Sequence, residues 1–140
     1  MQGQKINFQP SFILKSVTAI NWFFAALPNL TLLGIWLMSW RASVLLSRIP
    51  RINLDDPKNI GENDLIYQVL IHATYLPAIA FYFLESLWAI FAFSSIAMYL
   101  RWHQRSRISH FSFFTPLILF IIGYFIFKFD PGQRVEWFLD

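Results

Sequence analysis

Charged residues in this chain come in bursts, separated by long windows that hold none. No Asp, Glu, Lys or Arg occurs from Ser16 to Trp40, from Leu65 to Leu84, from Ser86 to Leu100, or from Ile108 to Phe127. A helix needs about 20 mostly apolar residues to cross the roughly 30 Å hydrocarbon layer of a bilayer. The first and last windows meet that length alone, and the middle two meet it together if Glu85 is accommodated. The pattern predicts an all-α, polytopic integral membrane protein, a single membrane domain over residues 1–140.

The polar punctuation places expected spans at 17–40, 77–100 and 111–127. Trp22, Trp36 and Trp40 lie toward the ends of the first, where indole settles at headgroup level. Pro28 falls mid-span and deletes one helical hydrogen bond. Pro77 suits the first turn of the second span, Thr115-Pro116 lies near the start of the third, and Gly123 offers a close-packing point. A hydrophilic loop is expected at 41–64. Its first part sets Arg41, Arg48 and Arg51 among Val44, Leu45, Leu46 and Ile49, as an interfacial amphipathic helix would. Its second part is acidic and rich in turn formers, with Asn63 or Asp64 placed to cap the next helix. After the Pro131-Gly132 turn, Trp137, Phe138 and Leu139 are expected to lie back on the interface or dock on a partner.

The stretch from Leu65 to Leu100 admits two topologies. As one helix it is about 54 Å long, so with three spans its first part lies outside the membrane or along the interface. The alternative is four spans, with a hairpin turning near Glu85. The lack of Gly, Pro, Asn or Asp around Glu85 favours three. Loop charge favours four, because Arg41, Arg48, Arg51, Lys58, Arg101, Arg105 and Arg107 would then share one side.

Composition agrees with a lipid environment. The chain is 56% hydrophobic, 19% aromatic and 14% charged, against about a quarter charged in soluble domains. Its net charge of +3 reads as loop residues beside anionic headgroups. Arg41, Arg48, Arg51, Arg101, Arg105 and Arg107 are the expected lipid contacts, and no nucleic-acid partner is expected. Without Cys there are no disulfides, thiolate metal sites or palmitoylation. Lys5 and Lys15 precede an apolar run too long for a signal-peptide core. The Asn29-Leu30-Thr31 sequon lies inside a span, out of reach of a glycosylating enzyme. The expected location is integral to a membrane, taken to be a bacterial cytoplasmic membrane.

Glu85 is the conspicuous polar candidate. Counted from Pro77 it lies roughly 12 Å inside the second span, where a charge facing lipid costs about 2.5 kcal/mol or more. It is therefore expected to face the bundle on a stripe with Ala78, Tyr82, Ala89, Ala92 and Tyr99. The opposite side, with Ile79, Phe83, Leu87, Ile90 and Phe91, suits lipid. Depth places Glu85 level with Thr31–Gly34 and near Tyr124, with Lys128 one turn further along the same face. His103 and His110 flank one loop and His72 lies at the other end, an arrangement better explained by headgroup-level histidines than by haem. Asp55, Asp56, Asn59, Glu62, Asn63 and Asp64 do not follow the calcium-loop spacing. No catalytic motif is present, and neither cofactor nor metal is expected. The expected function is that of a small non-enzymatic accessory or assembly subunit, forming a homo-oligomer or joining a larger membrane complex. The alternative is an oligomeric channel or small transporter that presents Glu85 and Asn29 to its pore.

Overall fold

The computed structural model describes residues 10–106 and 108–139, with side chains at all of these except 105 and 106. Lys5, Arg107 and the side chain of Arg105 lie outside the described residues. The chain forms α1 (Pro10–Leu46), α2 (Leu65–Ser106), α3 (His110–Phe129) and a short α4 (Arg134–Leu139). No strand occurs among the described residues. Three helices, α1, α2 and α3, are long and apolar enough to cross a membrane.

The inward residues of each long helix repeat every three or four positions. On α1 the buried series is Leu14, Thr18, Asn21, Ala25, Pro28, Leu32, Ile35, Ser39 and Ala42. A 3.5-residue repeat keeps one face against a neighbour over many turns. The α1 helix uses it to sit centrally, antiparallel to α2 and parallel to α3. Asn21 Nδ2 donates to Ser95 Oγ of α2 at 3.4 Å, and Asn29 Nδ2 donates to the Leu119 carbonyl of α3 at 3.2 Å.

α2 runs unbroken from Leu65 through Glu85, so the four-span hairpin does not form. Nothing beside Glu85 offers a turn, and Pro77 removes only one ladder bond while its fixed φ remains helical. α1 likewise continues beyond the expected loop start at Arg41. It stops at Ser47, whose φ of 54° is left-handed. Asp64 caps α2 by accepting the Tyr67 N–H at 2.7 Å, and Ser109 caps α3 by accepting the Ser112 N–H at 3.1 Å.

Helix lengths set the shape. At 1.5 Å per residue α1 is about 55 Å long, α2 about 63 Å and α3 about 30 Å. Phe127 near the end of α3 packs on Phe81 of α2, ring centroids 5.2 Å apart. Beyond that level α2 extends four to five more turns, about 24 Å. The extension, the end of α1, the 47–64 loop and α4 make a lobe with its own core of Ile35, Met38, Ala42, Tyr67, Ile71, Val135, Trp137 and Phe138. Trp137 and Phe138, each 2% exposed, are thus docked on their own chain, while Leu139 stays exposed. Trp137 Nε1 donates to the Asp55 carbonyl and the Tyr67 hydroxyl to the Pro57 carbonyl, both at 2.7 Å. Asp130 closes α3 and accepts three N–H groups from the first turn of α4 at 2.8–2.9 Å.

Candidate functional site

The inward series of α2 is Tyr67, Ile71, Thr74, Phe81, Trp88, Ala92, Ser95 and Tyr99, and Glu85 fills the position between Phe81 and Trp88. It therefore faces the bundle, on the side toward α3. Its stripe differs from the expected one at two steps. Phe81 and Trp88 point inward, whereas Tyr82 (73% exposed) and Ala89 point out. Phe91, expected on the lipid side, packs on Phe24 of α1 with ring centroids 5.5 Å apart. The reason is space: α2 and α3 stand apart, and only large rings bridge them. Trp88 stacks on Phe120 at 4.0 Å and 11°, and Phe81 meets the edges of Phe120, Tyr124 and Phe127.

This spacer leaves a groove of about 530 Å³ between α2 and α3, lined by Glu85, Trp88, Ala89, Phe93, Phe120 and Tyr124 among others. Lys128 approaches Glu85 at its end, Nζ to Oε2 3.7 Å, and lies 5.5 Å over the Tyr124 ring. Glu85, Tyr124 and Lys128 are thus together. The predicted neighbour Thr31–Gly34 is not. Gly34 faces Thr74, where an added Cβ would lie 2.9 Å from Thr74 Cγ2. The helix α2 starts at Leu65 rather than near Pro77, so the α1 residues level with Glu85 lie lower, in the cluster of Phe24, Ala25 and Leu27.

Asn29 lies elsewhere. Its amide donates to the Ala25 and Leu119 carbonyls at 2.7 and 3.2 Å, against Gly123, where a Cβ would come within 3.0 Å of Nδ2. It clamps α1 to α3 and shares no groove with Glu85. A further buried amide, Asn21, escaped the sequence reading although it sits on the 3.5-residue series of α1. Its Oδ1 is buried without a partner, as is Trp88 Nε1.

Two of the arginines expected at headgroups have carboxylate partners. Arg41 forms a two-pronged pair with Asp64, and Arg48 binds both oxygens of Asp55 at 2.5 and 2.6 Å. The Arg48 guanidinium and then the Arg51 N–H hold Asp55 below the usual carboxylate range. Arg41 and then the Tyr67 N–H do the same for Asp64. Arg51 and Arg101 are exposed, the latter 5.9 Å over the Trp102 ring, and Arg134 lies 3.7 Å over the Trp36 ring. At the opposite end of the bundle the Tyr99 hydroxyl meets His110 Nδ1 at 2.8 Å, with the His103 ring stacked on Tyr99. Among the described residues no three metal-binding side chains gather at one point.

No family model, no curated protein and no solved structure matches the chain.

Proposed function

We propose that this is a small membrane-spanning assembly subunit, without catalytic activity, that joins a larger membrane complex through helix contacts along α2. One observation carries the reading. The outward face of α2 is predominantly apolar from Leu65 to Leu100, with Leu65, Val69, Leu76, Phe83, Phe93 and Leu100 all more than half exposed and only His72, Ser86 and Ser94 as exposed polar breaks. That face is about 54 Å long. Even a helix tilted by 40° projects it over roughly 41 Å, beyond the roughly 30 Å that hydrocarbon covers. α3, at about 30 Å, marks the covered part, so Leu65 to Ile79 needs another apolar surface. A neighbouring protein helix supplies one.

A channel reading has less support. Glu85 and Asn29 lie in different grooves, and Glu85 faces a cleft open to one side of the bundle rather than an enclosed path.

The test places a photo-crosslinking residue at Leu65, Val69, Leu76 or Ile79 of the full chain in its native membrane. Adducts to one protein partner are expected at these positions, and Val69→Glu with Leu76→Glu is expected to release that partner. Adducts to lipid alone, or a partner retained by the double variant, would remove the assembly role. Adducts to a second copy of this chain would identify the partner as itself.

A further inference from the structure

We propose that the groove between α2 and α3 binds one phospholipid whose headgroup carries both a phosphate and a primary ammonium, as phosphoethanolamine does. The groove has the two-part character of such a molecule. Its floor is the stacked Trp88–Phe120 pair, and Ala89, Phe93, Ile121 and Phe125 form its walls. From Glu85 to Phe93 it offers about 12 Å of apolar trough, and its volume of about 530 Å³ falls in the roughly 300–1,000 Å³ range of small-molecule sites. The charged side chains stand at one end only, where Glu85 and Lys128 meet.

Depth suits a headgroup. Glu85 lies about 24 Å along α2 from Arg101, and Lys128 about 27 Å along α3 from His110. A layer roughly 30 Å thick that starts at the basic loop ends within about 6 Å of both.

The pair itself is open. Its 3.7 Å separation exceeds the roughly 2.7–2.9 Å of a charge-assisted hydrogen bond, and Lys128 is 49% exposed against 23% for Glu85. A zwitterion inserted here satisfies both groups. Lys128 donates to phosphate oxygens, and the Glu85 carboxylate accepts N–H bonds from the ammonium. A choline headgroup has no N–H to donate, and a glycerol headgroup brings no cation to Glu85. The acyl chain follows the trough, entering sideways from the bilayer.

The experiment reconstitutes the full chain in bilayers of equal ethanolamine, choline and glycerol phospholipids. Lipid retained after mild detergent extraction is counted by mass spectrometry. About one ethanolamine lipid per chain is expected, preferred about tenfold over choline lipid, the effect of about one charge-assisted hydrogen bond. Glu85→Gln is expected to erase most of that preference. Ala89→Phe, which fills an exposed trough and leaves helicity unchanged, is expected to abolish retention. Equal retention of all three lipids overturns the proposal, and so does preference for glycerol lipid, which would mean Lys128 acting alone on phosphate. Retention unaffected by Ala89→Phe would place the lipid elsewhere and overturn it too. The site shares Phe93 with the apolar face of α2 but not the Leu65–Ile79 stretch, so partner release by the glutamate pair and lipid loss by Ala89→Phe are separate readouts.

Discussion

The seams that α1 makes with its neighbours differ in construction from the seam between α2 and α3. Along α1 the closest approaches are made by small or amide side chains: Gly34 against Thr74, Asn21 against Ser95, Asn29 against Gly123. Without a hydrophobic drive between helices in lipid, such close approach and polar contact hold a bundle together. Between α2 and α3 the contacts are rings that keep the backbones apart: Trp88 on Phe120, Phe81 on Phe127, Tyr99 on Phe113. The α1–α2 seam also has a cleft, of about 610 Å³ beside Gly34 and Thr74, but no charged side chain lines it, whereas the ring-spaced groove has a charged mouth. Close backbone approach and a groove with a charged mouth are thus assigned to different pairs of helices.

Matched substitutions test that difference most strongly. Gly34→Leu forces a side chain into Thr74 and is expected to cost up to about 3 kcal/mol, the upper range for overpacking. Ala89→Leu adds the same atoms to the open trough and is expected to stay within about 0.5 kcal/mol of the parent. Unfolding in detergent, followed by far-UV circular dichroism, measures both. Equal costs would mean that the two seams are packed alike.

A smaller effect is expected at Asn29. Asn29→Leu removes the bond to the Leu119 carbonyl and presses a branched chain on Gly123, for a loss of about 1 kcal/mol. Combining it with Gly123→Ala sharpens the comparison. A closed seam predicts that the two costs are coupled rather than additive, which a double-mutant cycle reads.

The mildest prediction concerns the lobe. Asp55 and Asp64 are held below the ordinary carboxylate range by Arg48 and Arg41. Their contribution is complete above the unfolded-state value of about 3.9 and is lost as pH falls through the lower folded-state value. Hydrogen exchange in the 134–139 segment is therefore expected to quicken below about pH 4, because Asp55 also anchors Trp137. Amides of α1 around Asn21 and Asn29, where the seams contain no carboxylate, are expected to show no such step. A step in both regions at the same pH would tie the lobe to the bundle as one cooperative unit.

Much of this architecture is legible in the sequence. The charge-free windows are long enough that only helices satisfy their backbones in lipid, and the lack of turn formers around Glu85 keeps α2 whole. Glu85, Tyr124 and Lys128 could be brought together by counting turns on antiparallel helices. The choice of Phe81 and Trp88 over Tyr82 and Ala89 could not. Both sets lie within one helical face, and the decision rests on how far away α3 stands. The docking of α4 was equally hidden, since six residues with four apolar side chains fit an interface, a partner or their own chain.

The sequence by itself therefore determined three long apolar helices and their order, and narrowed one cap to Asn63 or Asp64, because these depend on hydropathy, turn chemistry and backbone hydrogen bonding within short stretches. Only the tertiary structure decided which helix pairs approach closely and which are spaced by rings, and it brought the carboxylate isolated in its own window to the mouth of a groove beside Lys128. That depends on ring sizes at facing positions of helices distant in sequence, and on α3 being about half as long as the helices it packs against.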